Sequence, residues 1–171
     1  MTATKEELIK GLNEDLAAEW GTIMRYTYQA SKAIGLRGAE LRELLEKEIP
    51  DELGHAKYLT DAITDLGGEP QMKPKEFEKP DDIKAMVELD LRMEEQDIKN
   101  YGRHAEMAES LGLTGLKVKL EDLAMDEYEH ARDCGESSRA CSPPRKRVKM
   151  KSRRLARGEI QLRGIVPAVL Q

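Results

Sequence analysis

The sequence predicts an all-α protein, a four-helix bundle in which one long crossover joins the second helix to the third. Composition is the first observation, since 36% of the 171 residues are charged and only 4% are aromatic, a balance that favours helices over sheets. The second is that apolar residues recur every three or four positions in four separate segments. The third is a proline-rich stretch at residues 67–80. The length suffices for one domain with a substantial core.

Apolar residues at alternating spacings of three and four keep one face of a helix directed at its neighbours. The spacing predicts helices A to D at residues 4–34, 38–66, 81–111 and 114–136. Gly35-Leu-Arg-Gly38 and Gly112-Leu-Thr-Gly115 are typical of short glycine turns. Because such turns reverse the chain, A and B, and likewise C and D, are expected to form antiparallel hairpins.

The segment between helices B and C is too rich in proline to be helical. It contains Pro70, Pro74 and Pro80, and each proline removes a backbone donor. An extended segment spanning residues 67–80 reaches roughly 45 Å, about the length of a 30-residue helix. The crossover can therefore run the full height of the bundle, so that helix C starts at the end where helix B starts.

The charge of the chain divides it into two parts. Residues 137–171 hold ten Lys and Arg side chains and one acidic residue, whereas the first 136 residues hold 18 basic and 32 acidic side chains. We therefore assign residues 1–136 to the bundle and residues 137–171 to a basic, flexible tail. Such a tail can bind DNA by neutralising phosphates, but without interleaved aromatic residues it is not expected to recognise bases. A tail with no role in nucleic-acid binding is the alternative.

The two predicted hairpins are copies of one pattern at an offset of 75 residues. The first copy consists of Leu8, Leu12, Leu16, Glu19, Ile23, Tyr26, Ala30, Ala33, Leu41, Leu45, Ile49, Glu52, His55 and Ala56. The second consists of Ile83, Val87, Leu91, Glu94, Ile98, Tyr101, Ala105, Ala108, Leu116, Leu120, Ala124, Glu127, His130 and Ala131. Each copy places a Glu, and then a Glu-x-x-His, among apolar positions. Such groups are costly in a helix core unless something pairs with them, and a metal ion is the obvious partner.

Six side chains form the predicted metal site. They are Glu19 on helix A, Glu52 and His55 on B, Glu94 on C, and Glu127 and His130 on D. Glu and His three residues apart share a helix face, so each such pair offers an oxygen and a nitrogen to one point. In the predicted paired-metal site each metal takes one His and one terminal Glu, while two carboxylates bridge the metals. A solvated charged face, or a duplicate that binds no metal, is the alternative.

Two tyrosines follow the ligands of helices A and C. Tyr26 and Tyr101 lie seven residues after Glu19 and Glu94, which places them on the same helix faces two turns away. They are predicted to hydrogen-bond a ligand carboxylate or to pass an electron.

These motifs resemble the ferritin-like superfamily, and within it the bacterioferritin-type arrangement, in which both hairpins give a Glu and a Glu-x-x-His. The resemblance covers residues 5–134 and is carried by Glu19-Trp-Gly-Thr-Ile-Met-Arg-Tyr26, Asp51-Glu-Leu-Gly-His-Ala56, Asp90-Leu-Arg-Met-Glu94 and Asp126-Glu-Tyr-Glu-His130. It implies a ferroxidase and iron-storage or detoxification protein that oxidises Fe²⁺ to Fe³⁺ with O₂ or H₂O₂ and keeps ferric mineral in a homo-oligomeric shell. The six residues above would be its ligands and catalytic groups, for two Fe ions per subunit.

The chain also departs from the family's pattern. Leu53 stands where haem-binding bacterioferritins carry a Met, so no haem is expected. Residues 137–171 do not look like a fifth helix, which leaves shells of 12 and of 24 subunits open. The oxidant, and the preference between Fe and Mn, are open as well. The rival functions are a rubrerythrin-like di-iron peroxidase, although the chain has no four-cysteine rubredoxin module, and a Dps-like DNA-binding protective protein.

Several other residues carry predictions. Cys134 is expected to be a core thiol, with redox involvement together with Cys141 as the alternative. Trp20 is expected at an intersubunit contact, and His104 on the outer surface. Three acidic residues outside the apolar stripe are expected to be solvated or to line an iron path: Asp51, Asp126 and Glu129.

A cytoplasmic protein is expected. The start of the chain has no apolar run typical of a secretory signal, and no stretch approaches the ~18–20 apolar residues that span a bilayer. The chain has two cysteines and no pattern typical of a disulfide framework, which fits a reducing compartment.

Overall fold

A computed structural model describes residues 3–141, which form four α-helices. They are α1 (Lys5–Lys32), α2 (Gly35–Asp65), α3 (Ile83–Ser110) and α4 (Thr114–Cys141). No strand occurs within residues 3–141. The all-α four-helix bundle predicted from the sequence is therefore confirmed. None of the four helices is long and apolar enough to cross a lipid bilayer.

The first hairpin turn is tighter than the sequence predicts. Only Ala33 and Ile34 separate α1 from α2, because α2 begins at Gly35 rather than at residue 38. Gly35 has a φ of 81°, a left-handed conformation that glycine adopts without steric cost. Gly38 lies in the first turn of α2, where a Cβ would come within 2.5 Å of the Ala33 carbonyl carbon. The two glycines thus allow a sharp reversal and close helix packing, instead of forming the turn themselves.

The crossover between α2 and α3 lies along α1. Near its beginning the Gln71 amide donates a hydrogen bond to Asn13 Oδ1 at 2.7 Å. Near its end the ring of Phe77 lies 6.3 Å from the ring of Tyr28. Because the contact point on α1 moves from Asn13 to Tyr28 as the chain advances, the crossover runs parallel to α1. The start of α3 therefore lies at the same end of the bundle as the start of α2, as the length of the linker predicts.

This connection makes α3 antiparallel to α1. His104, late in α3, lies 2.5 Å from Asp15 in the first half of α1. Gln29, late in α1, donates to Asp90 near the start of α3 at 3.0 Å. The middle of α1 consequently faces the middle of α3, which is where each helix carries its candidate ligand.

The fourth helix continues five residues past its predicted end at Glu136 and reaches Cys141. The prediction took the loss of the apolar stripe as the helix end, whereas the first residues that oppose a helix are Pro143 and Pro144. Residues 142–171, most of the predicted tail, lie outside the described residues. The domain boundary and the DNA-binding role of the tail stay predictions.

Two apolar clusters fill the bundle, one toward each end. The first consists of Leu8, Leu12, Leu16, Ala56, Leu59, Ile63, Tyr101, Ala105, Ala108, Leu120 and Leu123. The second consists of Tyr26, Ala30, Ala33, Leu41, Leu45, Met86, Val87 and Cys134. Along every helix the candidate ligands lie between members of the two clusters. The apolar core therefore encloses the polar centre from both ends.

His104 is buried, so the prediction that it lies on the outer surface is wrong. It is 1% exposed, and its Nδ1 pairs with Asp15 Oδ2. Gly11 makes room for the ring, because a Cβ at that position would lie 2.4 Å from His104 Nε2. The sequence did not reveal this because the matching position of the first copy is Gln29, a polar residue outside the apolar stripe.

We predict that Gly11→Ala destabilises the protein, because the new methyl group meets a buried imidazole whose position is fixed by its contact with Asp15. Such overpacking costs about 1–3 kcal/mol. The matched control is Gly102→Ala, since Gly102 is also inside a helix but a Cβ there meets nothing within 4 Å. That control should gain up to about 1 kcal/mol. Urea unfolding followed by circular dichroism measures both, and equal stabilisation by the two substitutions would contradict the packing described here.

Candidate metal centre

The six predicted ligands meet in the middle of the bundle. α1 contributes one of them, α3 one, and α2 and α4 two each: Glu19, Glu94, Glu52 with His55, and Glu127 with His130. Their exposed fractions lie between 1% and 7%. The three-residue spacing within α2 and α4 turns both members of each pair to the same side. The structure therefore brings all six residues together, as the sequence predicts.

The six side chains form two overlapping sets of four. Within each set one potential ligand atom per residue lies within 4.8 Å of all the others. The sets are Glu19, Glu52, His55 and Glu127, and Glu52, Glu94, Glu127 and His130. Glu52 and Glu127 belong to both sets, so they are placed to bridge two cations. Each set also has one Glu and one His of its own.

Several atoms at the centre converge without bonding to one another. His55 Nδ1 lies 2.9 Å from Glu127 Oε1, and His130 Nδ1 lies 3.3 Å from Glu52 Oε1. Yet His55 Nδ1, Glu127 Oε1, Glu52 Oε1 and Glu19 Oε2 are buried with no hydrogen-bond partner. Because buried polar atoms are nearly always paired, these atoms indicate a place for cations. Carboxylate oxygens with imidazole nitrogens are a donor set that suits iron.

Each of the two tyrosines contacts the candidate ligand on the other helix. Tyr26 on α1 donates its hydroxyl hydrogen to Glu94 Oε1 on α3 at 2.5 Å. Tyr101 on α3 donates in the same way to Glu19 Oε1 on α1. Each tyrosine thus holds the terminal carboxylate of the other copy, and the four side chains tie α1 to α3.

Comparison with known families agrees with this geometry. Residues 9–139 match the family model of the ferritin-like domain. The chain belongs to the ferritin-like family. Several solved structures share its fold.

Among these structures, a ferritin-like, diiron-carboxylate protein from Bacillus anthracis is 38% identical, with a TM-score of 0.78 over 81% of this chain and 99% of that chain. Desulfovibrio desulfuricans bacterioferritin is 22% identical, with a TM-score of 0.73 over 79% of this chain and 80% of that chain. A dodecameric thioferritin, the bacterioferritin-related protein of Bacteroides fragilis, is 21% identical, with a TM-score of 0.72 over 81% and 88%. The last two likenesses concern the fold. No curated protein gives a significant sequence match.

Beside the ferritin-like centre lies a buried ion-pair network that the sequence reading missed. Arg25 is 1% exposed. Its Nε donates to Asp90 Oδ1 at 2.8 Å, and its Nη2 donates to Glu94 Oε1 at 3.0 Å. Gln29 also donates to Asp90. The available signal was that Asp90 lies one turn before Glu94 on the same helix face, as Asp15 does before Glu19.

Protons and imidazolium charges balance the buried carboxylates when no cation is bound. Burial, together with the negative charges of Glu52 and Glu127, raises the pKa values of Glu19 and Glu94 well above their usual range. Burial alone would lower the pKa of His130, but its contacts with Glu127 and Glu52 raise it to about 11. A cation that binds here has to displace these protons, so binding is expected to weaken as the pH falls.

A groove between α2 and α4 connects the centre to the surface. The cavity measures about 390 Å³, and His55 and His130 are part of its lining. Asp51, Asp126 and Glu129 also line it, and all three are exposed, as predicted. Lys47, Lys119 and Arg132 line it as well, so its acidic and basic side chains largely offset one another. Whether iron travels along it stays a prediction.

Four other predictions concern residues near the centre. Cys134 is fully buried in the apolar cluster that contains Tyr26, so its predicted place in the core is confirmed. The side chain of Cys141 lies outside the described residues, and a redox role for the two cysteines stays a prediction. Leu53 is 43% exposed on α2, and the absence of haem stays a prediction too. Trp20 is half-buried against the first apolar cluster, and its predicted intersubunit contact is likewise untested.

Glu48 is a buried carboxylate that the sequence reading missed. It lies one turn before Glu52, is 1% exposed, and neither of its oxygens has a hydrogen-bond partner. Burial raises its pKa to about 7, although His130 acts in the opposite direction. The sequence signal for its burial was its position three residues after Leu45, on the apolar face of the helix. The repeat did not indicate it, because the matching residue of the second copy is Leu123.

We predict that Glu48→Gln removes part of the pH dependence of stability in metal-free protein. The pKa of Glu48 is about 7 in the folded state and near 4.5 in the unfolded state, so the folded state binds the proton more tightly. Its contribution to stability is complete below pH 4.5 and is lost as the pH rises through 7. Above pH 7 the variant should therefore be more stable than the wild type by up to about 3 kcal/mol.

Urea unfolding in EDTA across this pH range measures the difference. Glu46→Gln, an exposed position on the same helix, is the matched control and should parallel the wild type. Parallel curves for Glu48→Gln and wild type would show that Glu48 is not held protonated in the fold.

Proposed function

We propose that the protein is a ferroxidase that stores or detoxifies iron. It binds two Fe²⁺ ions between its four helices, oxidises them with O₂ or H₂O₂, and retains the ferric product in a homo-oligomeric shell. The observation that carries this proposal is that two buried sets of ligand atoms share Glu52 and Glu127. Two cations bridged by carboxylates lie close enough for both to act on one oxidant molecule. A single structural ion would need only one of the sets.

The ligand types suit both oxidation states of iron. Four carboxylates offset the charge of two ferrous ions, and their hard oxygen atoms also accept ferric iron, so oxidation does not have to wait for a change of ligands. The imidazoles of His55 and His130 complete the two positions. The hydrogen bonds from Tyr26 and Tyr101 fix the orientation of the terminal carboxylates, which keeps the two positions at a set separation.

The oxidation balances when the two irons supply the electrons and the solvent supplies the protons. Two Fe²⁺ ions give two electrons, which together with two protons reduce O₂ to H₂O₂, or reduce H₂O₂ to two molecules of water. The residues that lose protons when cations bind are those whose pKa values are raised in the metal-free protein, such as His130. Once the irons are bound these groups have given up their protons, so the two protons that the oxidant takes up come from water.

Retention of the product in a shell rests on the family and on charge. The Bacteroides fragilis relative is described as dodecameric, and we infer an assembly of 12 or 24 subunits here. The first 136 residues carry 14 more acidic than basic side chains, so the surfaces of such a shell would concentrate iron cations.

Anaerobic titration with Fe²⁺, followed by admission of O₂ or H₂O₂, tests this function. About two Fe²⁺ per chain should bind first, and many more should then remain as a soluble ferric mineral in a particle of 12 or 24 chains. Glu127→Ala/His130→Ala removes a bridging and a terminal ligand and should abolish both tight binding and rapid oxidation. Glu106→Ala/Glu109→Ala removes two exposed acids with the same spacing from α3 and should change neither.

The rivals give different results in the same experiment. Two bound irons with sustained peroxide turnover and no mineral would indicate a di-iron peroxidase of the rubrerythrin kind. No tight iron binding, with a DNA shift that the ligand substitutions leave unchanged, would indicate a DNA-protective protein whose bundle is a scaffold.

A further inference from the structure

The 75-residue repeat relates the two halves of the centre, but the halves differ in their buried charges, and one of these charges contacts a terminal carboxylate directly. Arg25 is almost completely buried and donates to Glu94 Oε1 at 3.0 Å. Asn100 stands at the matching position of the second copy, and its amide contacts Asp97 rather than Glu19. In the described part of the chain no Lys or Arg forms an ion pair with Glu19. Only one of the two terminal carboxylates is therefore held by a permanent cation.

The two terminal carboxylates also differ in the number of hydrogen bonds that they accept. Glu94 Oε1 accepts from both Arg25 and Tyr26. Glu19 Oε1 accepts from Tyr101 alone, and its Oε2 has no partner. An oxygen that already accepts a charged and a neutral hydrogen bond donates less electron density to a metal. The guanidinium also repels a divalent cation bound nearby, in surroundings that screen charge poorly.

We propose that Arg25 weakens the metal position formed by Glu94 and His130, so that the position formed by Glu19 and His55 fills first. This inference rests on the two-metal function proposed above. Arg25 is a positioning residue in this account, since it acts through Glu94 and is not itself a ligand. Because one oxidant needs an electron from each ion, the affinity of the weaker position sets the Fe²⁺ concentration at which oxidation begins.

Asp90 moderates the effect of Arg25. Its Oδ1 lies 2.8 Å from Arg25 Nε, and the carboxylate is fully buried. Gln29 donates to the same oxygen, which fixes Asp90 in this position. The carboxylate offsets part of the guanidinium charge, so its neutralisation should increase the repulsion felt at the Glu94 position.

Titration of the full chain with Co²⁺ alone tests the proposal, because Co²⁺ in a carboxylate and imidazole site is followed by its visible absorption and by calorimetry without oxidation. Arg25→Gln/Asp90→Asn removes the ion pair as a unit and leaves no unpaired buried charge. We expect the second Co²⁺ to bind about tenfold more tightly in this variant, the equivalent of one charged hydrogen bond, and the first to bind as in the wild type.

Three further variants test whether the buried charge of Arg25 causes the effect. Asp90→Asn alone should weaken binding of the second Co²⁺, which is the opposite of the effect expected for the double variant. Arg25→Lys keeps the charge and should keep the second step weak. Arg92→Gln also removes one Arg charge close to Glu94, but from an exposed side chain, and should leave both steps unchanged because water screens it.

Repulsion between the two Co²⁺ ions contributes in every variant, so the change in the ratio of the two dissociation constants is decisive. An unchanged ratio in a helical Arg25→Gln/Asp90→Asn protein would overturn the role of Arg25 and leave the two-metal centre intact. Tightening of the first step in place of the second would overturn it as well. A wild-type chain that binds fewer than two Co²⁺ would overturn both this inference and the proposed function.

Discussion

The structure depends on the burial of four carboxylates in the middle of a helical bundle. Glu19, Glu52, Glu94 and Glu127 are each 1–3% exposed, and removal of a carboxylate from water is costly unless opposite charge is near. Two imidazoles and one guanidinium supply some of that charge, and protons supply the rest when no cation is bound. Two divalent cations would balance the centre more completely, which is why a metal pair explains the arrangement better than a set of internal ion pairs.

Packing around the centre keeps these groups in place. An apolar cluster closes the bundle on each side, and the crossed tyrosines join α1 to α3 at the level of the ligands. The antiparallel direction of these two helices follows from the crossover that runs beside α1. If α3 entered from the other end, the contacts of Tyr26 with Glu94 and of Tyr101 with Glu19 could not both form. The connectivity of the chain therefore determines which carboxylate each tyrosine contacts.

Sequence reasoning predicted the features that are encoded in the apolar periodicity and in the 75-residue repeat. The four helices, the crossover and the convergence of the six candidate ligands all follow from apolar spacing and from polar residues that recur at an offset of 75. It missed features that depend on contacts between helices, such as the burial of His104 against Asp15, or the pairing of Arg25 with Glu94. It also missed Glu48, because the repeat offers only Leu123 in comparison. The end of α4 was misplaced since a helix can outlast its apolar stripe when no proline stops it.

The repeat and its exceptions have different consequences. Where the two copies agree, at the predicted ligands and their tyrosines, we propose two similar metal positions. Where they differ, at Arg25 against Asn100, we propose that the positions are unequal. Anomalous diffraction from crystals soaked anaerobically in Fe²⁺ tests the central claim most directly. The account predicts two iron peaks about 3.5–4 Å apart, with Glu52 and Glu127 between them and His55 and His130 at opposite sides. A single peak, or iron only at surface carboxylates, would contradict it.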